Sequence, residues 1–177
     1  MMPIGPLMIE HRLIEKVIEN IRIEIEKVSK GKKLELLYLN IIVDFVQVYA
    51  DRTHHGKEED ILFRELKNKQ LTNEDLRIMD ELVNEHILAR KIVKELIEAK
   101  NKFIANESYQ EKVILEKLDK LVKLYPGHIQ KEDKIFFPSA MKYLNKEEQE
   151  QMIDEMWEFD RKMIHEKYRM VVENLKP

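Results

Sequence analysis

Apolar and charged positions interleave at helical spacing through five blocks of the chain, and nowhere do they alternate as a half-buried strand requires. The first block predicts a helix from about Pro6 to Ser29, ended by Gly31 at a left-handed position. The second covers roughly Leu34 to Leu66. A third begins after Thr72, whose hydroxyl can cap it with Asp75 three residues on, and continues to about Ala105. The fourth opens at Ser108, with Glu111 at the matching position, and runs to Phe137, where Pro138 stops it. A fifth starts near Asn145, with Glu148 three residues on, and lasts almost to the end. Loops this short force consecutive long helices to run antiparallel. The expected fold is therefore all-α: an up-down-up-down four-helix bundle over residues 1–140, with 141–177 adding a C-terminal helix that packs on or extends it.

Composition narrows the chemistry. With 177 residues, 44% of them hydrophobic, the chain can build one domain with a real core. The 37% charged content, with four Gly and five Pro, fits long helices with solvated faces. A net charge of −3 with both signs mixed gives no electrostatic case for nucleic acid. There is no cysteine, which excludes disulfides, thiolate-bound zinc, iron–sulfur clusters and thiol nucleophiles together. The opening MMPIGPLMIE has neither the basic stretch nor the apolar run of an export signal, and no membrane-length apolar run follows, so a cytoplasmic protein without a membrane partner is expected.

The charged positions repeat. HHGKEEDILFR from His54 returns 74 positions later as HIQKEDKIFFP from His128, with His, Lys, Glu, Ile and Phe identical. EHRLIEKVI from Glu10 returns as EHILARKIV from Glu85, sharing Glu, His, Leu and Lys. The spacing from His11 to His54 is 43 and from His86 to His128 is 42. The chain thus reads as two copies of one helical hairpin, each with a His early in its first helix and a His-x-x-x-Glu late in its second. In an antiparallel bundle the start of an odd helix and the end of an even helix lie at the same height, so the four histidines can meet. A spacing of four puts His54 with Glu58, and His128 with Glu132, on one face. Unpaired carboxylates inside a bundle cost several kcal/mol each, a cost of about that size that a cation removes. Imidazole and carboxylate without sulfur suit iron or manganese, with zinc a possible substitute. Two Glu can bridge two ions, with a His cluster on each.

The pattern His, HxxxE, His, HxxxE over four helices, with KEE.ILF and KED.IFFP after the even pairs, resembles the hemerythrin-like (HHE cation-binding) family across residues 6 to 140. The resemblance implies a non-haem di-iron centre, oxo- or hydroxo-bridged, with His11, His54, His86 and His128 as nitrogen ligands and Glu58 and Glu132 as bridges. It implies a small ligand such as dioxygen, peroxide or nitric oxide, handled by a sensor, store or redox protein. The family's other uses, an iron-dependent regulatory module or iron–sulfur cluster repair, stay open, as do enzymatic turnover and the oligomeric state. The sequence departs from the oxygen carriers in having Arg90 where they place a second histidine on the third helix. It offers both Glu132 and Asp133 near the last histidine, and the pairing of Glu132 with Glu58 in the repeat favours Glu132. The cysteine-containing leader of the cluster-repair proteins is not seen.

His55 projects to the same side as Val48, Leu62 and Leu66, so it is expected to face inward, either as a further metal ligand or as support for one. The choice decides mechanism. Two six-coordinate irons offer about twelve positions, of which two bridging carboxylates, one oxo or hydroxo bridge and four histidines leave about two. Ligation by His55 leaves one and favours end-on reversible binding; otherwise both ions are open and redox turnover is favoured. Tyr125, before Pro126-Gly127-His128, points either toward the metals or into ordinary core, and Pro126 either opens a route to them or bends the helix around the core. His165 lies outside the repeat and reads as an ordinary histidine. Trp157, Phe159 and Met163 read as core or inter-helix packing, and the Lys/Glu runs as solvated faces.

Overall fold

The computed structural model describes residues 2–105 and 109–174. Helix α1 spans Ile4–Ser29, and Gly31 follows it at φ 93°, the left-handed position the sequence predicts. Helix α2 covers residues 36–66, α3 spans Asn73–Ile104, α4 covers 110–140, and α5 spans Lys146–Asn174. Among the described residues there is no strand. Thr72 caps α3 by accepting the Asp75 N–H at 3.1 Å. Asn145 and Glu148 cap α5 reciprocally, each side chain accepting the other's N–H at 3.0 and 2.9 Å. The cap predicted at Ser108 lies outside the described residues.

Helices α1 to α4 form the up-down-up-down ring, with each helix packed against its sequence neighbours and α1 closing against α4. Helix α5 lies antiparallel along α2. Ion pairs join Lys69 to Glu148, Arg64 to Glu155, Arg52 to Glu166 and Asp44 to Lys167 in that order along the two helices. Between the two helices, a Cβ on Gly56 would lie 2.8 Å from Cζ of Phe159, so the missing side chain is what admits the ring. Met152, Met156 and Met163 are buried on the same face of α5. Trp157 does not join them and is 56% exposed, contrary to the packing role expected of it; one residue beyond Met156 on a helix turns about 100° off the docked face.

Three stretches of the two even helices depart from α geometry. In α2 the turns of Phe45–His55 and Glu58–Phe63 are π-wound, and in α4 those of Glu132–Phe136 are. A π segment ahead of Pro138 also explains why α4 does not stop at Phe137 as expected. Pro138 occupies the first turn of the α segment Phe137–Ala140, where its missing N–H is not required, and a 3₁₀ turn at Met141–Tyr143 ends the run. Pro126 likewise sits within α4 without interrupting Gln110–Lys131.

Apolar burial falls into two clusters. One gathers Ile14, Ile18, Leu39, Val46, Leu96 and Leu118; the other gathers Leu7, Leu62, Phe63, Leu82, Phe136 and Phe137, together with Met152 and Met156 of α5. A layer of buried polar groups from all four bundle helices separates them: Glu10, His11, His54, His55, Lys57, Glu58, His86, His128 and Glu132.

Candidate metal centre

All seven residues singled out from the sequence meet in that layer. The ligand atoms of His11, His54, Glu58 and Glu132 lie within 4.8 Å of one another, and so do those of His55, Glu58, His86 and His128. Glu58 belongs to both groups, with Oε1 3.4 Å from Nε2 of His54 and Oε2 3.4 Å from Nε2 of His86. Glu132 also spans them: Oε2 is 3.2 Å from Nε2 of both His11 and His128, and Oε1 is 3.9 Å from His86. His55, 1% exposed, stacks on His86 with ring centroids 3.9 Å apart. The π-winding turns less per residue than an α-helix, which lets the adjacent His54 and His55 both reach inward. Glu58 and Glu132 are each the first residue of a π segment, a feature the HxxxE spacing does not reveal.

Every imidazole gives its other nitrogen to a carboxylate. His11 Nδ1 pairs with Asp133 at 2.8 Å, His54 with Glu10 at 2.9 Å and His55 with Asp51 at 3.3 Å. His86 pairs with Glu59 at 2.7 Å and His128 with Glu85 at 2.8 Å. A carboxylate only accepts, so the proton sits on Nδ1 and the Nε2 lone pair faces the centre. Cations hold these carboxylates in turn: Arg12 bonds Asp133, Lys57 bonds Glu10, Lys131 bonds Glu85 at 2.6 Å, and Arg90 bonds both Asp51 and Glu59 at 2.8 Å. Sequence reasoning missed this outer ring. Its signal was present in the repeat, where Glu10 and Glu85 precede His11 and His86, and Lys57 answers Lys131. Lys57 belongs to a Lys/Glu run expected on a solvated face, whereas it is wholly buried. Arg90 replaces the histidine of the oxygen carriers at that position and instead steadies the partners of His55 and His86.

The inner atoms have no such partners. Nε2 of His55, His86 and His128 and both oxygens of Glu58 and Glu132 are buried without a hydrogen bond. Nε2 of His11 and His54 face each other at 2.8 Å. Lone pairs converging in this way repel, and a cation turns the repulsion into binding. Burial, with the neighbouring His54, lowers the His11 pKa to about 3, and burial first of all lowers His86 to about 4. Burial also takes His54 and His55 well below the usual imidazole value. It pushes Glu58 and Glu132 well above the carboxyl range, with the charge of Glu58 adding to the rise at Glu132. Donor type, orientation and lack of partners all fit a metal.

Those shifts set the pH dependence of the metal-free protein. A histidine kept neutral by folding binds fewer protons folded than unfolded, so stability is lost as pH falls below about 6.5. A carboxyl kept protonated by folding does the reverse, losing stability as pH rises above about 4.5. Four histidines outweigh two carboxyls between these limits, and only the carboxyls act above them. Melting of chelated protein from about pH 4 to pH 9 should peak near pH 6.5; a plateau above about pH 7 in place of the fall would show both carboxyls ionised in the folded apo state.

Near the centre, a cleft of about 260 Å³ between α2 and α3 is lined by Val46, Ala89, Val93, Ile97 and Tyr125 and reaches Asp51 and Arg90. Tyr125 is buried, and its ring faces His55 nearly parallel at 6.2 Å. His165 is on the exposed side of α5.

A helical bundle with this buried belt of imidazoles and carboxylates defines a cation-binding protein. The hemerythrin HHE cation binding domain matches residues 2–140 and again residues 77–176, and the chain belongs to that family. The second match starts inside the first, at α3, as an internally duplicated chain allows. No curated protein and no solved structure matches the chain. Among the described residues no helix is long and apolar enough to cross a membrane.

Proposed function

We propose that residues 1–140 form a di-iron bundle that binds or processes dioxygen or a related small ligand, and that the C-terminal region 141–177 docks on it through α5. His11 and His54 would hold one ion and His55, His86 and His128 the other, with Glu58 and Glu132 shared. The observation that carries this reading is the set of inward-facing Nε2 and carboxylate atoms, buried and unpartnered, each imidazole aimed by its own carboxylate. Two oxidation states per ion supply the electrons that reversible oxygen binding or reduction needs. The protein's part is to orient the donors and exclude water from them.

With His55 in the ligand set, two six-coordinate ions would keep about one free position, on the side that His11 and His54 would hold. That favours end-on reversible binding over turnover. Stopped-flow mixing of diferrous protein with oxygen is the test. A stable oxygenated spectrum is expected. Rapid oxidation with peroxide consumption would assign an enzyme and two open positions. Indifference to oxygen, with folding still dependent on iron, would assign the regulatory module.

A further inference from the structure

In each half of the outer ring a lysine holds the carboxylate behind the histidine of the His-x-x-x-Glu pair, but the two lysines are covered differently. In the second half, Lys131 bonds Glu85, the partner of His128; its other contact is Glu81 at 3.3 Å, and its side chain stays 23% exposed. In the first half, Lys57 bonds Glu10, the partner of His54, and its other contact is Asp160 of α5 at 2.6 Å; its side chain is 0% exposed. The fifth helix therefore breaks the symmetry of the repeat, closing over one lysine and leaving the other to solvent. Gly56, next to Lys57, takes the Phe159 ring. A wholly buried ammonium needs its counter-charges. Without Asp160, Lys57 would be drawn toward water, and Glu10 would lose the bond that holds it on His54.

We propose that Asp160 is a positioning residue for the metal centre: by pairing with buried Lys57 it holds Glu10 on Nδ1 of His54, so that docking of α5 and loading of the ion held by His11 and His54 favour each other. The inference rests on the two-ion reading above. Coupling between two binding events is reciprocal, so iron should tighten α5 as much as α5 tightens iron. Loss of a hydrogen-bonded support behind a metal-bound imidazole lowers affinity roughly 10 to 100-fold.

Chelated protein is titrated anaerobically with ferrous iron, and hydrogen exchange of α5 is followed in the apo and loaded wild type. Asp160→Asn keeps the shape of a side chain that is 42% exposed, so the fold should survive, which a melting curve checks. The variant should bind one of two irons at least about tenfold more weakly, Asp160→Glu should restore most of that loss, and Glu81→Gln, the counterpart in the other half, should bind as wild type. Amides of α5 should exchange more slowly once iron is bound. A wild-type isotherm for Asp160→Asn, equal losses in Asp160→Asn and Glu81→Gln, or α5 exchange indifferent to iron each overturns the coupling. A wild-type protein that takes up no iron defeats the two-ion reading itself, a result separable from the others.

Discussion

Chelation is expected to lower the melting temperature by roughly 8 to 16 °C. A ligand that binds only the folded chain adds about 4 kcal/mol at a thousandfold excess over Kd. In a protein of this size 1 kcal/mol moves the midpoint by about 2–4 °C. The structure explains why the effect should be large. Glu58 and Glu132 are buried without hydrogen-bond partners, and Nε2 of His11 and His54 are 2.8 Å apart with their lone pairs opposed. Metal removal therefore leaves the folded state with unsatisfied groups that the unfolded chain gives to water. Coincident melting curves with and without iron would mean that these groups satisfy one another, and the energetic basis for a metal centre would be gone.

Glu58→Ala and Glu132→Ala should each lose most of the bound iron, measured as metal per chain after desalting. Each carboxylate lies within reach of both histidine groups, so on the two-ion reading either substitution removes a donor from both ions. Glu59→Ala and Asp133→Ala act differently although they stand one residue away. They take the hydrogen bond from Nδ1 of His86 and His11, and the expected loss is roughly 10 to 100-fold in affinity with both ions still bound at saturating metal. Should Glu59→Ala strip the iron while Glu58→Ala retains it, the inner and outer carboxylates of α2 have been interchanged.

Much of this was legible in the sequence because the duplication shows which charges are not decoration. His11, His54, His86 and His128 stand at matched places in two hairpins, and antiparallel packing does the rest. The family match supports that reading of the bundle. Less legible was anything that depends on how the even helices wind. An α projection places His55 on the inner side, but the slower turn of Phe45–His55 is what brings it beside His54 and against His86. Pro138 was misread for the same reason, because a proline rule written for α-helices does not foresee a π turn before it. The outer carboxylates were overlooked because a Glu beside a His on a charged helix looks like solvated surface. Only the approach of a second helix distinguishes Glu10, bonded to Lys57, from the exposed glutamates around it.

The polar belt also divides the interior. One apolar core lies on the side of Ile18, Val46, Leu96 and Leu118, the other on the side of Leu62, Leu82, Phe136 and Phe137, and it is the second that α5 joins through Met152 and Met156. Each of the four bundle helices contributes to both cores and crosses the ionisable layer once. In the apo chain that layer would oppose close contact, leaving two cores that are expected to open at different free energies. A cation drawing ligands from all four helices welds them into one. Bound metal would then decide whether the bundle unfolds as a whole or by halves, and the half bearing α5 is the one whose opening would be felt outside the four-helix ring.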